Sequence, residues 1–156
     1  MKKFFAFTTF LIIILSSVSK VHSIEADVFV QSTVNRAAKT LGGNLSKEER
    51  IQKLKQIAKE TVDIKGIGFY SLGDHRKKLT ENQLIKYHKV FAEYFLKSFS
   101  SRLAEYSNPE IEVNSKKVIN KNYTIVSSTL VSTESRPEVK IEWRVYTKDP
   151  DNLLIR

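Results

Sequence analysis

Cysteine is absent from this 156-residue chain, and proline (three), glycine (five) and histidine (three) are scarce. Without cysteine there is no disulfide staple, no thiolate nucleophile, no Cys-based zinc site and no lipid-modified N-terminal cysteine. His22, His75 and His88 are too few for a His-rich metal centre, so no metal or cofactor site is assigned. Acidic residues are the minority charge, 17 against 26 Lys+Arg, yet the cations are dispersed and not interleaved with aromatics in a stripe. Nucleic acid is therefore not an expected partner. Sparse Pro and Gly beside 41% hydrophobic residues exclude a disordered chain. The length suits one ordinary domain, or two very small ones.

The N-terminus reads as an export signal. Lys2 and Lys3 precede the apolar run Phe4–Leu15, and Val21-His22-Ser23 fits a small-x-small cleavage site, with Ser17-Val18-Ser19 as a second option. The competing reading is an uncleaved anchor, which needs roughly 20 apolar residues; Thr8, Thr9 and Ser16 interrupt this run. Removing residues 1–23 takes away Lys2, Lys3 and Lys20 and no acid, lowering the formal charge from +9 to +6. An exported domain with no cysteine suits a bacterial periplasm, and a positive balance favours acidic surfaces such as anionic headgroups.

Residues 24–156 divide into a helical half and a strand half. Val30, Val34, Ala37 or Ala38, and Leu41 recur at helical spacing before Gly42-Gly43. Ser46-Lys47-Glu48-Glu49 is a capping box opening a second helix, with Ile51, Leu54, Ile57 and Ala58 on one face. Its cations Lys47, Arg50, Lys53, Lys55 and Lys59 are either a solvated face or a surface that steers the protein to anionic membrane or acidic partners. Gly66 and Gly68 punctuate a short helix from Ile64 to Leu72. Thr80-Glu81-Asn82-Gln83 opens the longest helix, whose wide apolar arc from Leu84 to Tyr106 predicts burial on more than one side, with Asn108-Pro109 as its end.

Beyond Pro109 the apolar period changes to two. Ile111 and Val113, the β-branched run Tyr123–Thr133, and Val139, Ile141, Trp143 and Val145 read as strands, separated by turns at 120–122, 135–137 and 148–152. Leu153 begins another strand. The expected architecture is α+β, with N-terminal helices packed on one face of a C-terminal antiparallel sheet and the final strand incomplete.

Several of these segments resemble the MlaC/toluene-tolerance family. The marks are Phe69-Tyr70-Ser71-Leu72-Gly73, then Thr80-Glu81-Asn82-Gln83 opening a helix that closes on Leu103-Ala104-Glu105-Tyr106, and Val139-Lys140-Ile141-Glu142-Trp143-Arg144-Val145 in place of a "V-D-Y-R-L" strand. The similarity runs from about Asp27 to Arg156. It implies a periplasmic phospholipid carrier that passes lipid between an outer-membrane lipoprotein complex and an inner-membrane ABC transporter complex and so maintains outer-membrane lipid asymmetry. Two departures stand out. Asp74-His75-Arg76-Lys77-Lys78 is wholly polar where the family has an aromatic-rich stretch, and the family continues past the strand at Leu153 whereas this chain stops at Arg156. The sequence is read as truncated at its C-terminus, or its gene as degraded.

A lipid carrier needs a dry cavity. Each buried methylene contributes roughly 0.8 kcal/mol, so a tail of about 15 methylenes is worth on the order of 12 kcal/mol against water. The pocket has only to match the bilayer, because the difference between them sets the direction of transfer. The candidate wall is Phe69, Tyr70 and Leu72, then Phe91, Phe95, Phe99 and Leu103 from the long helix, and Ile141, Trp143 and Val145 from the sheet. Taken singly, each is equally a core residue. Two alternatives compete: an exported interaction module or non-functional fragment with a filled core, and a small-molecule enzyme on a cone-shaped α+β fold. The enzyme would have only Asp74, His75 and His88 for acid–base work, so no catalytic residue is assigned.

Overall fold

The computed structural model describes residues 24–156; the export signal assigned to residues 1–23 lies outside the described residues. Helix α1 (Ala26–Gly42) buries Ala26, Val30, Val34 and Leu41 along one side and stops at Gly43. Ser46 then opens α2 (Lys47–Thr61) with the expected capping box: the Glu49 amide donates to Ser46 Oγ (3.2 Å) and the Ser46 amide donates to Glu49 Oε2 (2.9 Å). These bonds satisfy two of the donors that a helix start leaves orphaned. The hydrogen bonds from Ser46 hold the Glu49 carboxyl below its ordinary pKa.

Helix α3 (Ile64–Ser71) is capped by Asp63, whose Oδ1 accepts from the Gly66 amide at 2.8 Å. Gly73 follows with φ +52°, a left-handed turn that glycine adopts without strain. Residues Gly73–Lys78, the polar stretch, form a 3₁₀ helix. Helix α4 (Glu81–Leu103) opens with a second capping box, Thr80 with Gln83.

Two expectations for α4 need correction. It is not buried on several sides: Ser100 is its one fully buried residue, while Ile85, Val90 and Tyr94 are more than half exposed. Its main contacts are with α2 and α3. It also ends at Leu103, short of Asn108-Pro109. Residues 104–108 reverse the chain, with the Tyr106 amide donating to Leu103 O (3.0 Å) and Asn108 at φ +45°, a conformation that asparagine tolerates.

Strands β1 (Ile111–Asn120), β2 (Tyr123–Leu130), β3 (Val139–Tyr146) and β4 (Leu154–Ile155) form an antiparallel sheet in sequence order. The fold is α+β, with helices on one sheet face and a short last strand. Along β2 the alternation is strict, with Thr124, Val126, Ser128 and Leu130 buried. The register sets Val126 opposite Trp143 and Ser128 opposite Ile141. Helix α1 lies directly on this face, and α2 packs between α1 and α4. The buried core is split in two. One cluster joins Ala26, Val30 and Val34 to Val126, Val145 and Leu153; the other joins Leu41, Leu54 and Ala104.

A clasp ties the α2–α3 junction to the sheet. The Asp63 amide donates to Ile155 O (2.8 Å), and the Arg156 guanidinium pairs with Asp63 Oδ2 and donates to Tyr123 Oη (2.8 Å). Arg156 also lies 4.2 Å over the Tyr146 ring. Partial burial pulls the guanidinium pKa down, but the hydrogen bonds to Asp63 and Tyr123 outweigh it and raise it overall.

Candidate functional site: an apolar cavity between helices and sheet

Between the two core clusters the interior is hollow. A partly enclosed cavity of about 370 Å³ is bounded by all four helices and all four strands. This lies within the range of small-molecule sites, roughly 300–1,000 Å³. The helices meet it unequally. Helices α1 and α2 mix small residues (Thr33, Ala37, Ala38, Ala58 and Thr61) with Val34, Leu41, Leu54 and Ile57, whereas α4 presents Phe95, Phe99 and Leu103. The sheet supplies Ile111, Leu130, Ile141, Trp143 and Ile155.

The wall is apolar in chemistry as well as composition. Among the described residues no charged side chain lines it. Thr33 Oγ1 donates to Phe29 O (2.9 Å) and Thr61 Oγ1 to Ile57 O (2.7 Å), each one helical turn back. Trp143 Nε1 donates to Ser128 Oγ at 2.7 Å. These donors are thus committed within the protein and offer a guest little beyond van der Waals contact and removal from water. Tyr106 stands at the wall with Arg136 4.6 Å from its ring centre, a cation–π contact linking the cavity edge to the β2–β3 connection. Among the described residues no three His, Asp or Glu side chains gather into a metal site.

A family model, MlaC protein, matches residues 30–155 of this sequence. The chain belongs to the MlaC family. It is also similar to a phospholipid-binding protein from Ralstonia solanacearum, solved in complex with a phospholipid. The match has a TM-score of 0.69 and 18% identity, covering 85% of this chain and 75% of that one; the likeness is one of fold. No curated protein matches the sequence.

Within this MlaC-family fold, the structure brings five of the ten sequence-derived wall residues to the cavity: Phe95, Phe99, Leu103, Ile141 and Trp143. The other five lie elsewhere. Val145 is fully buried in the α1–sheet cluster, packed solid instead of facing space. Phe91 is one step up the α4 aromatic ladder, stacked between Tyr87 and Phe95, and it fills the notch over Gly68. Phe69 stacks on His88 with Arg76 above it, Tyr70 is 75% exposed, and Leu72 caps the end of α3 outside the lining. The α3 segment turns its aromatics outward because Gly68 faces α4; only Ile67 of α3 reaches the cavity.

The walls from α1 and α2 were not anticipated. Their sequence signal is a run of small residues at helical spacing, Thr33-Ala37/Ala38 and Ala58-Thr61, which in a sequence resembles close helix packing. The acid–base candidates do not converge. Asp74 and His75 are exposed on the 3₁₀ helix, where Asp74 pairs with Lys77, and His88 packs among Phe69 and Tyr87. None of the three lines the cavity.

Proposed function

We propose that this protein is a phospholipid carrier of the periplasm, moving lipid between inner and outer membranes and so helping to maintain outer-membrane lipid asymmetry. The observation that carries the reading is the hollow, uncharged interior whose threonine and tryptophan donors are bonded within the protein. A filled module has no use for such a space, and an enzyme would need polar groups converging on it. Membership of the MlaC family and the fold shared with a phospholipid-bound protein support lipid as the guest. The apolar wall takes acyl chains, worth about 0.8 kcal/mol per methylene against water, and leaves the headgroup at the solvent side. A binding and transfer role, without bond-making chemistry, fits the dispersed Asp74, His75 and His88. Its transfer partners are an inner-membrane ABC transporter complex and an outer-membrane lipoprotein complex.

The test is to purify the secreted protein without detergent, extract it with organic solvent and identify lipid by mass spectrometry. Stoichiometric phospholipid is expected. Protein that carries none, and gains none after incubation with phospholipid vesicles, overturns the reading.

A further inference from the structure

Net positive charge and exposed aromatic rings are concentrated in one stretch of the described residues. Residues 64–97 hold seven Lys+Arg against three acids, so they carry +4 of the +6 borne by residues 24–156. The same stretch, α3 through most of α4, exposes Phe69, Tyr70, Ile85, Val90 and Tyr94. These include every exposed aromatic among the described residues. On α4 the spacing 86-90-94-97 sets Lys86, Val90, Tyr94 and Lys97 along one stripe, an apolar centre with a lysine at either end. Phe95 and Phe99, on the inward side of the same helix, line the cavity.

We infer that this α4 stripe, Lys86, Val90, Tyr94 and Lys97, docks the protein on an anionic phospholipid surface. Six of the seven cations are lysines: Lys65, Lys77, Lys78, Lys86, Lys89 and Lys97. Protein–protein interfaces are depleted in lysine and enriched in arginine, so the composition favours lipid over an acidic protein. Lysine stems lie along apolar surface while the ammonium reaches headgroup phosphates. Tyr and Phe rings settle at the headgroup level, where one end is apolar and the other wet. Ile85 lies on a different side of α4 from Val90 and Tyr94 and is outside the stripe. The contact places a cavity-bearing helix against the membrane, and it goes beyond the carrier reading.

The experiment is flotation of the purified protein with vesicles of phosphatidylcholine alone, and with a third of that lipid replaced by phosphatidylglycerol. Binding is expected to the anionic vesicles only, and to vanish as salt approaches about 1 M, where the screening length is ~3 Å. Each lysine near such a surface is worth about a fivefold change in partitioning, so Lys86→Gln with Lys97→Gln should weaken binding about 25-fold. Tyr94→Ser should weaken it further, with circular dichroism and thermal melts confirming the fold. All forms share the same N-terminus, so any contribution from residues 1–23 cancels. Equal binding to neutral vesicles, unchanged partitioning of the double variant, or capture by acidic proteins with no vesicle binding overturns the inference. Lipid co-purification separates it from the carrier reading: lipid retained without vesicle binding sinks the docking face alone, and vesicle binding by a lipid-free protein sinks the carrier alone.

Discussion

Filling the cavity from its wall should move stability and lipid affinity in opposite directions. Ala58 of α2 is 2% exposed and its methyl faces the hollow, so Ala58→Phe projects a ring into the space. In the lipid-free protein the ring gains about 1.5–3 kcal/mol of burial and loses about 0.5 kcal/mol of helix propensity. The net gain is on the order of 1 kcal/mol, visible as a Tm rise of about 3–5 °C in a domain of this size. With lipid present the ring displaces about four methylenes at ~0.8 kcal/mol each, a loss of about 3 kcal/mol or roughly 150-fold in affinity. The assay is a melt of delipidated wild type and variant, together with mass spectrometry of lipid retained by each as purified. A solid interior would give the reverse pattern, overpacking by about 1–3 kcal/mol with no change in lipid. That result refutes the reasoning.

Other substitutions probe the frame around the cavity. A Cβ on Gly68 would lie 2.7 Å from Phe91 Cδ1, so Gly68→Ala must displace the aromatic ladder. We expect about 1–3 kcal/mol of destabilisation, read from the urea midpoint. Leu54, 2% exposed, should cost about 2–5 kcal/mol as alanine, with bound lipid reducing the loss because tail methylenes occupy the enlarged space; equal losses with and without lipid would count against a shared cavity. Asp63→Ala removes both the α3 cap and the Arg156 partner, for an expected loss of about 2–4 kcal/mol. Asp63→Asn, which keeps the cap, should recover about 1 kcal/mol in the same unfolding assay.

The pH dependence follows from the Lys116 bridge to Glu25 and Asp27. The hydrogen bond from Lys116 depresses the Asp27 pKa, and hydrogen bonds to Glu25 and Asp27 raise that of Lys116. The Asp27 contribution is complete above the unfolded carboxylate value of about 3.9 and is lost as pH falls through the lower folded value. The Lys116 contribution is complete below about 10.4 and is lost as pH rises through the higher folded value. Asp27→Asn should therefore flatten the acid limb of the melting-temperature profile; an unchanged acid limb would show that the bridge contributes nothing.

Local order was legible along the chain because local chemistry specifies it. Ser46 with Glu49, and Thr80 with Gln83, satisfy backbone donors three residues away, so both helix starts could be read without knowing any tertiary contact. The period-two run through Ile141, Trp143 and Val145 assigned a strand and its inward face for the same reason. What each apolar side chain meets across the interior is a different kind of fact. Phe91 and Phe95 sit four residues apart on one stripe, yet one presses on Gly68 and the other borders empty space. Val145 and Trp143 share a sheet face, yet only Trp143 reaches the cavity, because α1 settles on Val145. Sequence period selects a face; whether that face finds packing or a void depends on how far the opposing helix stands off. Alanines 37, 38 and 58 line the void, and their methyls carry the same signal whether a helix closes over them or a cavity opens.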